Sequence, residues 1–259
     1  MPRSRSTTLA ELLTLTCALG CATTHAPAPP APKPGVSVET LLASARAGCR
    51  MPAAAAERQA GYADAQRAHV LAPQDREVAL ALARCAYLQA DLDGDEQRVL
   101  SVAEQGAKVA KQGATGPDDA QASYLRAVNL GLYVRAKGMS ALGRLSELVT
   151  LLRVAGHEPA QDEGGPWRVL GLLYVRAPAW PVGPGDVDLA LDLLGRAARE
   201  FPQHPLNHLY LAEALMESGD RAAARVEVER ARELCTATRF GDWAVRWRAE
   251  ADALETKLK

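Results

Sequence analysis

Three aspartates at alternate positions, Asp91, Asp93 and Asp95, have the 1, 3, 5 spacing with which a calcium loop presents its carboxylates. Position six of that loop is Glu96, where the sharp turn needs Gly, and position twelve is Val102, where a bidentate Glu belongs. The stretch therefore reads as a polar turn between helices. His204 and His208 stand four apart, as two zinc ligands on one helix face do, yet Pro205 puts His204 at a helix start and no carboxylate completes a set. No metal and no cofactor is expected. Tyr124, Asn129 and Tyr133 can turn two phenol tips and an amide toward one helical surface, which suits a binding groove; packed tyrosines and a satisfied amide are the alternative. Arg168 follows Gly164-Gly165-Pro166 at a helix start, where the dipole disfavours a cation unless a carboxylate of the protein or of a ligand answers it. Trp180 lies in a Pro/Gly-rich loop, either as an exposed contact or folded back onto the helices.

No G-x-S-x-G, Walker A, G-x-G-x-x-G or H-E-x-x-H spacing occurs, so these residues suggest binding rather than catalysis. The 259 residues carry 30 Lys and Arg against 31 Asp and Glu, a formal charge of -1 that offers no basic field to nucleic acid. Aromatic residues are 5% and hydrophobic residues 48% of the chain, the surplus being Ala and Leu, which favour helices.

The N-terminus reads as an export segment. Arg3 and Arg5 precede a short run from Thr7 to Gly20 that is mostly apolar or small, interrupted by Glu11 and too short to span a bilayer. It ends Ala18-Leu19-Gly20-Cys21, which resembles a bacterial lipoprotein signal; residues 1–20 are then removed and Cys21 carries the lipid. Residues 21–36 follow as a tether with Pro27, Pro29, Pro30, Pro32 and Pro34, and Ala22 after the cysteine favours the outer membrane. Cys49, Cys85 and Cys235 remain for the folded domain, 37–259. Their odd number and lack of C-x-x-C spacing read as thiols on apolar faces, with a Cys49 to Cys85 bridge as the alternative in an oxidising compartment.

From Ser37 onward, helical apolar periodicity alternates with short Gly, Pro or Asp breaks, which predicts about eleven helices and no sheet. Helices are expected over Asp75–Ala90, Asp95–Gln112, Asp118–Lys137, Ser140–Ala155 and Asp242–Leu258. Trp167, Leu170, Gly171 and Tyr174 have the W-x-x-L-G-x-x-Y spacing of a tetratricopeptide first helix. Ala190, Ala197 and Pro202 continue the second-helix pattern after an enlarged turn. The next unit keeps phase, with Ala212 in its first helix, Gly219 in the turn, and Ala224 and Ala231 on the second-helix seam. Trp243 and Trp247, four apart, suit a cap on the open end.

The domain thus resembles the tetratricopeptide proteins, which implies an all-α, right-handed helical solenoid. A narrower likeness lies in Tyr124-Leu125-Arg126-Ala127-Val128-Asn129-Leu130-Gly131, in Gly164-Gly165-Pro166-Trp167-Arg168-Val169-Leu170-Gly171, and in the Ala177-Pro178-Ala179-Trp180-Pro181 loop. These runs resemble the T-component family of tripartite (TRAP) transport systems. That resemblance implies a periplasm-facing lipoprotein, built of cryptic tetratricopeptide units, that associates with a periplasmic solute-binding protein. The alternative is a scaffold lipoprotein of an envelope machine such as pilus, motility or outer-membrane assembly. Either reading makes the chain a binding module that meets the membrane through its lipid alone, and a homo-oligomer is open to both.

Overall fold

The computed structural model describes residues 35–259. The signal, Cys21 and nearly all of the tether lie outside the described residues. The elements are α1 (Val38–Gly48), α2 (Ala55–Leu71), α3 (Arg76–Asp91), α4 (Glu96–Gln112), α5 (Ala120–Lys137), a 3-10 segment (Gly138–Arg144), α6 (Leu145–Ala155), α7 (Gly165–Arg176), α8 (Val187–Glu200), α9 (Pro205–Glu217), α10 (Arg221–Leu234), α11 (Ala237–Phe240) and α12 (Asp242–Leu258). Since α11 is a single turn, eleven longer helices build the fold of the described residues. Among the described residues the only β pairing is an isolated bridge, Ala179 to Gly185.

The helix starts are written in side chains. Ser37, Asp75, Asp95, Asp119, Asp186 and Asp220 each accept a hydrogen bond from the backbone N–H three residues on, satisfying a donor that the helix itself leaves open. The cap of α5 is Asp119 rather than Asp118. It also accepts from the backbone and hydroxyl of Thr115 and from Arg76. Burial alone would raise its pKa, but these bonds together hold it down at about 2. The helix expected from Ser140 starts at Leu145 instead. Gly138, at φ 61°, ends α5, and the segment with Gly138 and Gly143 tightens into a 3-10 turn with Ser140 Oγ bonded to Lys137 O.

Successive helices pack as pairs: α1 with α2, α3 with α4, α7 with α8, α9 with α10. Small residues sit where the pairs touch. Ala190, Ala197, Ala212, Ala224 and Ala231 are fully buried, and a Cβ on Gly171 would stand 2.5 Å from Leu194 Cγ. Trp167 is buried, with Arg196 over its ring at 4.2 Å, while Leu170 and Tyr174 join the apolar core around Leu148, Leu152 and Leu194. Gly219, at φ 92°, makes the turn between α9 and α10, and Pro202 O meets His208 Nε2.

Two features differ from expectation. Cys49 and Cys85 form a disulfide that ties the end of α1 to α3, so only Cys235 is a free, buried thiol among the described residues. The thiol reading of that pair is overturned: both side chains lie in one apolar cluster that the α1 and α3 crossing creates. Also, α12 does more than cap the last pair. Trp243 and Trp247 are buried, but Trp243 Nε1 donates to Asp91 at the end of α3, and Arg58 of α2 lies 4.6 Å from the Trp243 ring and pairs with Asp242. The last helix reaches back to the first units and closes the solenoid into a ring.

Candidate functional site

Helices α3, α5, α6, α7 and α9, with the 3-10 segment, turn one side together with α12 toward a groove of about 890 Å³. That volume is of the size that takes a drug-sized solute or a peptide segment. One part of the lining is apolar, with Val128, Leu132, Leu145, Leu148, Leu172 and Leu173. The other part carries charge, arranged in pairs between neighbouring helices. Arg176 of α7 makes a two-pronged contact with Glu213 of α9, both N–O distances being 2.8 Å, and its guanidinium stands 5.6 Å from the Tyr210 ring. Burial alone would lower the Arg176 pKa; the Glu213 carboxylate outweighs it and raises it.

Across the groove, Arg246 of α12 pairs with Asp91 at 2.8 Å and with Glu250 at 3.4 Å, while Arg135 of α5 faces Asp91 at 3.4 Å. Burial raises the pKa of Glu250 above the usual carboxylate range, against the pull of Arg246 and Arg176. Burial likewise pushes the Tyr210 phenol up to about 12, with Glu250 adding to it. The groove thus offers a partner an apolar stripe beside a row of paired charges that neighbouring helices already hold in place.

The sequence-derived candidates fall into three groups. Tyr124 and Asn129 are interior residues and leave the groove hypothesis. Tyr124 is 2% exposed and its hydroxyl tip lies against Gly165, where an added Cβ would come within 2.3 Å of it. Asn129 is fully buried, and its amide donates to Ala83 O of α3 and to Leu125 O of its own helix. From α5 the groove is lined by Val128, Gly131, Leu132, Val134 and Arg135. Tyr124 lies one turn before Val128 on the same side but is covered by the start of α7 at Gly165, while Asn129 is held in the packing against α3. Tyr133 is half-buried between two apolar clusters and is likewise off the groove.

Arg168 reaches the groove but is 4% exposed, and among the described residues no carboxylate pairs with it. It donates to Asp162 O, Glu163 O and Asn207 Oδ1, so three oxygens of the α6 to α7 turn and α9 oppose the cation. Asn207 in turn donates to Glu163 O, Ala197 O and Phe201 O, which makes the pair a clamp between repeats. Trp180 is 86% exposed at the tip of its loop.

The metal-like spacings are occupied by structure. Asp93 pairs with Arg98, Asp95 caps α4 and Asp91 holds α12. His204 Nδ1 accepts from Leu206 N, and its ring packs on Phe240 and Trp247; His208 bridges Glu227 and Pro202 O. Among the described residues no group of three His, Cys, Asp or Glu converges on a metal site. The charged groove residues Arg176, Glu213, Arg246 and Glu250 were not singled out by spacing. Arg246 and Glu250 do stand four apart on α12, whereas Arg176 and Glu213 sit on successive first helices, α7 and α9, and meet only through the repeat register.

A family model of the tetratricopeptide repeat matches residues 182–234, the stretch from the enlarged turn through α10. No curated protein matches the chain. Among solved structures, a thermophilic TPR protein of Thermus thermophilus aligns over 83% of this chain and 98% of its own, with a TM-score of 0.57 and 20% identity. The fold is a tetratricopeptide-type helical solenoid.

Proposed function

We propose that this chain is an envelope lipoprotein whose groove receives a protein or solute partner, acting as an accessory component of a TRAP-type uptake system. The groove carries the reading. It is preformed, its charged groups are fixed by ion pairs, and an apolar stripe runs beside them, the combination that recognition by a repeat scaffold uses. The Cys49 to Cys85 bridge supports export, because disulfides persist in oxidising compartments such as the periplasm. With a sequence separation of 36, it is worth roughly 4 kcal/mol in the chain-entropy account. The lipid-anchor signal ending at Cys21 supplies the membrane attachment.

The test is capture from native membranes with the full chain as bait, beside the same chain carrying Leu172→Asp. Leu172 lines the groove, is only partly buried and belongs to none of the apolar core clusters, so the aspartate changes the stripe and not the fold. A periplasmic solute-binding protein retained by the wild-type chain and lost with Leu172→Asp is the expected outcome. Equal retention by both chains would remove the groove from the interaction.

A further inference from the structure

Residues 177–186, between α7 and α8, form a loop that the fold holds out from the body. Its backbone is closed on itself: Gly185 N donates to Pro178 O, Val182 N and Gly183 N to Ala179 O, and Asp186 N to Tyr174 O. A Cβ on Gly185 would meet Ala177 O at 2.3 Å and one on Gly183 would meet Pro178 O at 2.6 Å, so the glycines let the two strands of the loop touch. Pro178, Pro181 and Pro184 restrict it further. The exposure of its tip is therefore built rather than a product of slack. Trp180 is 86% and Val182 73% exposed. Met139, 78% exposed in the 3-10 segment after α5, lines the same groove as Ala177 and Pro178, both segments following the C-terminal ends of groove helices, α5 and α7.

We propose that Trp180, Val182 and Met139 form a membrane-contact wedge that seats this edge of the domain on the lipid headgroup region. Three observations favour a lipid surface over a protein. From Ala177 through Gly185 the loop carries no charged side chain, and its one side-chain hydrogen-bond donor is the Trp180 indole N–H. Protein interfaces surround their apolar centre with a polar rim and about one hydrogen bond per 100–200 Å², whereas a ring with an apolar body and a single donor is what the membrane interface collects. The three side chains together present roughly 400 Å², about half of the 800 Å² that one side of a stable protein interface buries. Lys137, one residue before the 3-10 segment, is exposed beside Met139 and suits a lipid phosphate.

The inference rests on the envelope reading above: a lipid on Cys21 would already hold the domain near the membrane, so a weak second contact suffices to orient it. Seated this way, the groove would open beside the membrane, since Met139, Ala177 and Pro178 belong to its lining.

The experiment uses the full chain with Cys21→Ser, so that no acyl chain contributes, and phosphatidylethanolamine/phosphatidylglycerol vesicles doped with brominated phosphatidylcholine. Trp167, Trp243 and Trp247 are buried, so contact quenching reports on Trp180 alone. Added vesicles should shift its emission to the blue, shield it from acrylamide and let bromine quench it. Val182→Asp, which keeps the reporter, should lower vesicle binding about tenfold, and Trp180→Ser should abolish the bromine-quenched component. Trp180 emission unchanged by vesicles overturns the proposal. Shielding that grows with protein concentration in the absence of lipid also overturns it, in favour of a second copy at this surface. Neither result touches the capture experiment, whose variant lies inside the groove.

Discussion

Replacing Asp91 by alanine should release the C-terminal helix from the first units. Asp91 is 7% exposed, and its Oδ2 accepts from Trp243 Nε1 at 3.0 Å and from Arg246 Nη2 at 2.8 Å. Removing the carboxylate leaves the indole N–H buried without an acceptor, a cost of about 1–3 kcal/mol. Arg246 loses its strongest partner, but its side chain is 30% exposed and keeps both Glu250 and the main-chain oxygen of residue 91. That loss is therefore well below the roughly 3–5 kcal/mol of a fully buried pair. Arg135, with its side chain 54% exposed, adds almost nothing. Together these give about 2–4 kcal/mol, which for a domain of this size lowers Tm by roughly 5–15 °C. Circular-dichroism melting reads the total. Hydrogen exchange reads the place: amides of α12 should lose protection before those of α7 and α8. In a Trp243→Phe background, which already lacks the donor, the same substitution should cost about 1 kcal/mol less. A change under about 0.5 kcal/mol, with α12 protection intact, would refute the latch and leave apolar packing alone holding the ring closed.

At Gly171 even a methyl group meets Leu194 Cγ at 2.5 Å, so Gly171→Ala should destabilise by about 1–2 kcal/mol net of its better helix propensity. Gly131→Ala in α5, where an added Cβ meets nothing within 4 Å, should instead stabilise by about 0.5–1 kcal/mol; urea midpoints that fail to separate the two would disprove the packing argument. His204 gives a pH dependence: burial first, then the charges of Arg168, Arg239 and His208, hold its pKa well below the ordinary value. The unfolded chain takes up that proton below about pH 6.5 while the folded chain does not, so stability falls as pH drops through 6.5 toward the depressed value. His204→Asn, which keeps an acceptor for the cap, should flatten the slope of urea stability between pH 7.5 and 5.5; a slope unchanged by the substitution would place its source elsewhere.

Local physics was the legible part of the fold. An aspartate three residues before an apolar run caps a helix whatever surrounds it, which is why Asp75 and Asp95 marked α3 and α4 to within a residue. The Trp167, Leu170, Gly171, Tyr174 spacing located α7 because the repeat demands small residues at its seam. On α5 the sequence offers two readings of Tyr124 and Asn129, groove lining or packed residues, and the structure has them packed. The partner that decides it for Asn129, Ala83 O at 2.9 Å, lies 46 residues earlier, and no local pattern encodes that meeting. Arg168 was placed correctly at a helix start, yet its three oxygen partners come from a turn and from a helix 39 residues on. The disulfide and the Asp91 to Trp243 bond, 152 residues apart, depend on the whole superhelical path.

That path also decides what kind of binding surface results. An open solenoid can flex along its length, because each repeat touches only its neighbours. Here Arg58 to Asp242, Asp91 to Arg246 and Trp243, and Arg84 of α3 to Asp162 of the α6 to α7 turn tie distant repeats together. These contacts fix the spacing between α3 and α12, and hence the width of the groove they border. A groove of fixed width recognises a partner without first ordering itself, which removes an entropic cost from binding. It also couples the two ends: an occupant wedged between Arg176 and Arg246 would strain the Asp91 junction. Loosening that junction should therefore alter partner affinity as well as stability, even though the Asp91 carboxylate is nearly sealed from solvent by its own partners.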